Sequence, residues 1–282
     1  MNHARLRNKF DRLAEIHANS AERDKDPVSF IIRYSAWQDR EIAGFIASCL
    51  AYGRVETILK SVDQVLSPLG KRPSVLIASR SFDPDGLYAK FSHRLNKGSD
   101  IRLLLLALRT VLIKYGSLKE LFASSLRSAD RDFLAAQDAF IRTLRTAVFA
   151  QSAARKIPLG RVLHLLPSPS AGSACKRLNL FFKWMIRKDA IDPGVWLPEL
   201  GHLQKSLIIP LDTHIAKAGR RYAMTARKSN DIRTAVEITA FLSKLCPGDP
   251  LAYDFSLCHD GMTRHRGKKP SVHPSRKGRT GR

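Results

Sequence analysis

Two side chains in this sequence stand where reactive groups are held still, Asp212 and Lys176. Asp212 belongs to Ile208-Ile209-Pro210-Leu211-Asp212-Thr213-His214-Ile215. The residue before a proline is pushed out of the helical region, so this is an extended piece running into a helix. A carboxylate at such a junction accepts hydrogen bonds from the first helix amides. It can stabilise a developing cation or orient an attacking nucleophile. Asp is also among the commonest N-caps, and the two roles are compatible. His214 reads as a helix-start residue or as an acid–base group, and it is also a candidate nucleic-acid contact.

Lys176 follows a turn of small residues, Leu166-Pro167-Ser168-Pro169-Ser170-Ala171-Gly172-Ser173-Ala174-Cys175. With Ser173 as N-cap, Lys176 falls in the first turn of an amphipathic helix. Amides at a helix N-terminus can hold a phosphate, and an amine placed there is either a nucleophile or a phosphate contact. Lys183 and Arg187 lie seven and eleven residues further on, so helical spacing puts them on the same face as Lys176. With Ser173 and Arg177 they form a candidate backbone-binding strip. Tyr52 and Arg54, on either side of Gly53, could stack on a base and read its edge. Gly53 as a simple helix stop is the plainer account.

The elements that position these groups read as helices. Apolar residues recur at three and four positions over Asp39–Leu50, and again from Ile58 to Leu66. Ile101–Tyr115 is a helix closed by Gly116. Ser117 and Glu120 then have capping-box spacing. Phe133–Ala150, Ala174–Arg187, Thr213–Tyr222 and Asp231–Leu245 continue the series, and Pro250 is placed to open a last helix to Cys258. Gln151–Gly172 reads as loop or hairpin, and Trp184 and Met185 as core. No run alternates long enough to be a strand, and the expected fold is all-α.

The chain has 282 residues and a formal charge of +23, from 48 Lys plus Arg against 25 Asp plus Glu. Such a surplus draws polyanions, DNA or RNA foremost. Residues 263–282 contain eight Lys or Arg and no acid, and read as a basic disordered tail; the remaining 262 residues still carry +15. The longest apolar run, Leu103–Leu108, lies between Arg102 and Arg109 and is too short to span a bilayer. No signal peptide is expected, and Cys49, Cys175, Cys246 and Cys258 form no metal-ligand spacing. The expectation is a cytoplasmic, nucleoid-associated protein without membrane, metal or cofactor.

Ile209-Pro210-Leu211-Asp212-Thr213-His214-Ile215, with Arg220 and Arg221 behind it, resembles the catalytic-aspartate segment of the helix-hairpin-helix DNA glycosylases. That superfamily includes endonuclease III and the 8-oxoguanine glycosylases. Its aspartate follows an L-P-G-V-G hairpin, often with a catalytic lysine, and Lys176 falls where that lysine would be. Here the hairpin is Pro-Ser-Pro-Ser-Ala-Gly-Ser, and Lys176 and Asp212 are 36 residues apart, about double the spacing of the endonuclease III pattern. Asp189–Gln204 must loop out for the two to meet.

A closer resemblance is to a bacterial family known only as a domain of unknown function. It rests on Leu50-Ala51-Tyr52-Gly53-Arg54-Val55, on Cys175-Lys176-Arg177-Leu178-Asn179 with Phe182, Trp184 and Met185, on Ile208 to His214, and on Asp249-Pro250 with Tyr253-Asp254-Phe255.

The resemblances imply a glycosylase-like domain over residues 1–262, with two helical subdomains divided near residue 204 and a cleft between them. They imply base excision from a flipped nucleotide of duplex DNA. Asp212 would steady the charged sugar, and Lys176 would form a Schiff base if close enough. No iron–sulfur cluster is implied. The alternative is a non-catalytic DNA- or RNA-binding protein on the same scaffold.

Overall fold

The computed structural model describes residues 3–17 and 20–266. Helices dominate: Trp37–Leu50, Val55–Leu66, Gly98–Tyr115, Leu118–Ser128, Phe133–Arg155, Lys176–Ile186, Thr213–Arg221, Ile232–Leu245 and Asp254–Arg266 follow an N-terminal helix His3–His17. Their ends follow local chemistry. Ser117 Oγ accepts from the Glu120 amide at 3.0 Å, Asp132 from Ala135 at 2.6 Å and Asp231 from Thr234 at 2.9 Å. Each satisfies an amide that has no partner within its own helix. Among the described residues no helix is long and apolar enough to cross a membrane.

Buried apolar side chains fall into two clusters. The larger is built around Trp37–Leu50, whose residues from Glu41 to Leu50 are all buried. Gly98–Tyr115, with Leu103 to Leu108 completely enclosed, packs on Phe133–Arg155. Phe45, Phe122, Phe140, Phe181, Phe182 and Trp196 pack their rings edge-on, tilted or stacked at its centre. The smaller cluster joins Ile208, Ile209, Leu211 and Ile215 to Ile238, Leu242 and Leu257 on later helices and to Tyr253 just before the last of them, together with Leu6 and Phe10. The chain crosses between the clusters more than once: Leu207 lies in the larger and Ile208 in the smaller, and Leu251 returns to the larger before Tyr253.

Several elements differ from expectation. The N-terminal helix is an addition to the expected series; Leu6 and Phe10, one turn apart, anchor it on the last helix. A two-residue hairpin pairs Ser92–His93 with Asn96–Lys97. The helix from Phe133 runs on to Arg155, and Gln151–Gly172 also contains the short helix Val162–Leu165. Pro250 does not open the final helix, which begins at Asp254 and reaches Arg266. The first four residues of the expected tail are therefore helical, and its remainder lies outside the described residues.

Candidate functional site

The string Cys175-Lys176-Arg177-Leu178-Asn179 builds one corner of the site. Cys175 is in the left-handed region at φ 49°, and the helix starts at Lys176. Ser173 is therefore not the N-cap: it forms a β-bridge with Asp231, and its hydroxyl accepts from the Cys175 amide at 3.2 Å. Asn179 is buried and donates to Ala174 O at 3.2 Å, while Gln137 donates to its side-chain oxygen at 2.9 Å. These bonds fix the start of the helix and the direction in which Lys176 leaves it.

Asp212 is the N-cap of Thr213–Arg221. Its Oδ1 accepts the amides of His214 at 2.8 Å and Ile215 at 2.9 Å. Its Oδ2 faces Lys176 Nζ at 3.6 Å and accepts from the Cys258 thiol at 3.5 Å. The carboxylate thus divides its work between its two oxygens. His214 contributes its backbone amide here and is not among the residues that line the cavity.

Asp189–Gln204 does loop out, and it is packed rather than loose. Gly194 N donates to Trp184 O at 3.1 Å and Trp196 N to Met185 O at 2.6 Å, capping the Lys176 helix. The Trp196 ring is fully buried and its Nε1 donates to Glu41 Oε2 at 3.0 Å. Burial pushes the Glu41 carboxyl up to about 7, against donors from Leu118, Trp196 and Lys119 that pull it down.

Lys176 and Asp212 flank a cavity of about 130 Å³. Leu180, Trp184, Ile58 and Phe255 give it apolar walls; Asp26, Lys183, Asp254 and His259 are polar lining groups that sequence reasoning did not assign to it. Asp26 caps the turn Pro27–Arg33 through Oδ1, which accepts the Val28 amide at 3.0 Å. Burial raises its carboxyl above the ordinary range, opposed by the Val28 bond and by Lys183, His259 and Lys176. Burial also pushes the Cys258 thiol well up, with Asp212 and Asp254 adding to it, so it is a donor rather than a thiolate nucleophile. The signal for Cys258 was its place one turn after Asp254 on a single helix.

Lys183 and Arg187 are corrected. Lys183 lies on the Lys176 helix and Arg187 directly follows its end, but they are 2% and 5% exposed, so they offer no surface to a nucleic-acid backbone. Lys183 Nζ donates to Asp254 Oδ2 at 2.7 Å and lies 3.6 Å from Asp192. Arg187 pairs with Asp249 at 2.9 Å and with Asp189 and Asp192 at 2.5 Å each. Burial alone would lower the Lys183 ammonium, but Asp192 and Asp254 outweigh it and hold it above its usual range.

Arg177 and Tyr52 turn away from the cavity. Arg177 donates to Cys49 O at 3.1 Å and to His164 O, and its guanidinium lies 4.9 Å from the Tyr52 ring centre. Tyr52 OH donates to His93 O at 3.1 Å, and its ring meets His93 and His164 edge-on. This cluster ties the Lys176 helix to the loop after Leu50, leaving Ala51 and Gly53 to line the cavity. Gly53 has φ 109°, a conformation that side chains rarely adopt. Arg54 is exposed, at the N-cap of Val55–Leu66, and makes no ion pair among the described residues.

A second, larger depression of about 1010 Å³ is lined by Arg5, Lys9, Arg12 and Arg221. Arg221 ends the helix that Asp212 begins, about 13 Å away at 1.5 Å per residue. Among the described residues no group of three or more His, Cys, Asp or Glu could hold a metal ion.

The family model described as "Protein of unknown function (DUF2400)" matches residues 26–263. No curated protein and no solved structure matches the chain.

Proposed function

The chain belongs to the DUF2400 family, and from that premise we propose that it is a DNA N-glycosylase of the helix-hairpin-helix kind that releases a base from a flipped nucleotide. The observation that carries the reading is the approach of Lys176 Nζ to Asp212 Oδ2, 3.6 Å, at a cavity with room for about one small ring. For scale, an apolar cavity of about 150 Å³ holds a benzene molecule. Two residues 36 apart in sequence meet because the intervening loop is packed away.

The C1′–N bond breaks and its electron pair leaves with the base. Positive charge then builds on C1′ and the ring oxygen, where Asp212 stabilises it. Lys176, its proton passed to the Asp212 carboxylate, attacks C1′ and forms a C–N bond. Opening of the sugar ring gives a protonated imine, and loss of a C2′ proton expels the 3′ phosphate. Hydrolysis of the imine returns the lysine. If water attacks C1′ in place of Lys176, the base is released without strand cleavage.

The second reading, a non-catalytic DNA- or RNA-binding protein, is favoured by the basic depression, which would serve binding without chemistry. Borohydride trapping on duplexes with an abasic site, and base release from a panel of damaged bases, separate the two. A covalent adduct lost in Lys176→Ala supports a glycosylase–lyase. Base release without an adduct, lost in Asp212→Asn, supports a monofunctional enzyme. Binding with neither supports the non-catalytic reading. Tighter binding to a matched RNA duplex would replace DNA as the partner.

A further inference from the structure

We propose that Asp26 is the general acid that protonates the departing base, an assignment that rests on the glycosylase reading above. A base expelled as an anion is a poor leaving group, and an acid aimed at it removes that barrier.

The carboxyl groups lining the cavity have different commitments. Asp212 uses Oδ1 as a cap and Oδ2 for Lys176 and Cys258. Asp254 is paired with Lys183 at 2.7 Å. Asp26 uses only Oδ1, for the Val28 amide, and its Oδ2 makes no hydrogen bond among the described residues. Asp254 also leaves one oxygen, Oδ1, without a hydrogen bond among the described residues, but its other oxygen is paired with the Lys183 ammonium. Asp26, by contrast, has a spare oxygen and makes no ion pair among the described residues. Its backbone is fixed, since it caps a turn whose Pro27, Val28, Phe30 and Ile31 are buried. Burial, the leading influence on this group, favours the protonated form that an acid needs. One carboxyl kept protonated beside one that serves charged chemistry is a recurring division of labour at such sites.

In the step, the Asp26 Oδ2–H bond breaks and its proton goes to a ring nitrogen or carbonyl oxygen of the base. The C1′–N electron pair is taken up by the same heterocycle, which leaves neutral. Asp26 becomes a carboxylate and regains a proton from water. The charged groups around it are Lys176 and Lys183 on one helix, Asp212 on a second, and Asp254 and His259 on the last.

The test is single-turnover base release from duplexes carrying uracil or 5-fluorouracil, whose fluorine stabilises the departing anion. Full-length wild type, Asp26→Asn and Asp26→Ser are compared across pH, with borohydride trapping on abasic DNA in parallel. Asn and Ser can both cap the turn, so the fold is retained. The expected result is a loss of about 10²-fold or more for uracil, a smaller loss for 5-fluorouracil, and disappearance of the fall in rate on the alkaline side. Trapping on abasic DNA should be unchanged, because no base leaves there. Equal rates in wild type and variants, or equal losses on both bases, would overturn the role of Asp26 and leave the glycosylase reading standing. No release from either base by wild type would overturn the assignment of Asp26, while release from the panel of damaged bases would still decide the glycosylase reading.

Discussion

Replacing Lys183 by Met tests whether this lysine is a structural ion or an open cation. Lys183 is enclosed with two carboxylates, Asp254 at 2.7 Å and Asp192 at 3.6 Å, and the three side chains are at most 7% exposed. Methionine nearly preserves the volume, so the cavity penalty is small. The main cost comes from carboxylates left without their cation. Removing one member of a buried pair costs about 3–5 kcal/mol. Asp192 keeps Arg187 at 2.5 Å, which places the expected loss nearer the lower figure, about 3 kcal/mol. Urea unfolding of wild type and Lys183→Met, read at constant slope against denaturant, measures it. In a double-mutant cycle, Lys183→Met with Asp254→Asn should lose at least about 1 kcal/mol less than the two single losses added together. A stability change below about 0.5 kcal/mol, together with weaker DNA binding, would refute the reasoning and restore Lys183 as a backbone contact.

Glu41 carries a pH signature. Its folded-state carboxyl is raised to about 7 from an ordinary 4.5, so between those values the folded protein holds a proton that the unfolded chain has released. Stability should therefore fall as pH rises from 4.5 to 7, by on the order of 3 kcal/mol, and then level off. Urea unfolding across that window should give a flatter profile for Glu41→Gln, and an unchanged slope would count against it. Neutralising Lys9, Arg12 and Arg221 together with Gln should reduce the log–log salt slope of duplex binding by about 2–3, at about 0.9 per phosphate contact. All three are exposed, so thermal stability should hold; an unchanged slope would remove this depression from the DNA path.

The helices were legible because their periodicity and caps are local. Ser117, Asp132, Asp212 and Asp231 each sit one residue before a helix and accept from its first turn. Asp212 was legible for the same reason, with the proline two residues before it. The N-terminal helix was readable from Leu6 and Phe10, but the basic residues around them obscured the pattern. What sequence could not give was the partner of a face. Helical spacing put Lys183 and Arg187 on one face with Lys176, yet of their carboxylates only Asp189 and Asp192 lie nearby in sequence; Asp249 and Asp254 arrive more than 60 residues later. Ser173 failed as a cap because Cys175 takes the left-handed conformation and holds the first helical residue back to Lys176.

The placement of the cavity between the two apolar clusters explains why these ions are buried at all. Asp26 and Lys176 are carried by elements of the larger cluster, through Val28 and Phe30 in one case and Leu178 and Phe181 in the other. Asp212 is carried by the smaller, through Leu211 and Ile215. The distance between Lys176 and Asp212 therefore depends on how the clusters are registered. Apolar packing is tolerant of small sliding, whereas a buried ion pair is not, because separating it strands a charge. Lys183 stands two turns along the helix from Lys176, and its partner Asp254 begins the helix that carries Cys258. The Lys183–Asp254 pair thus joins the lysine-bearing helix of one cluster to the helix whose thiol donates to Asp212 in the other. On this argument Lys183→Met should lower stability and also loosen the approach of Lys176 to Asp212. The Asp26 carboxyl joins no such pair, so Asp26→Asn should leave both unchanged.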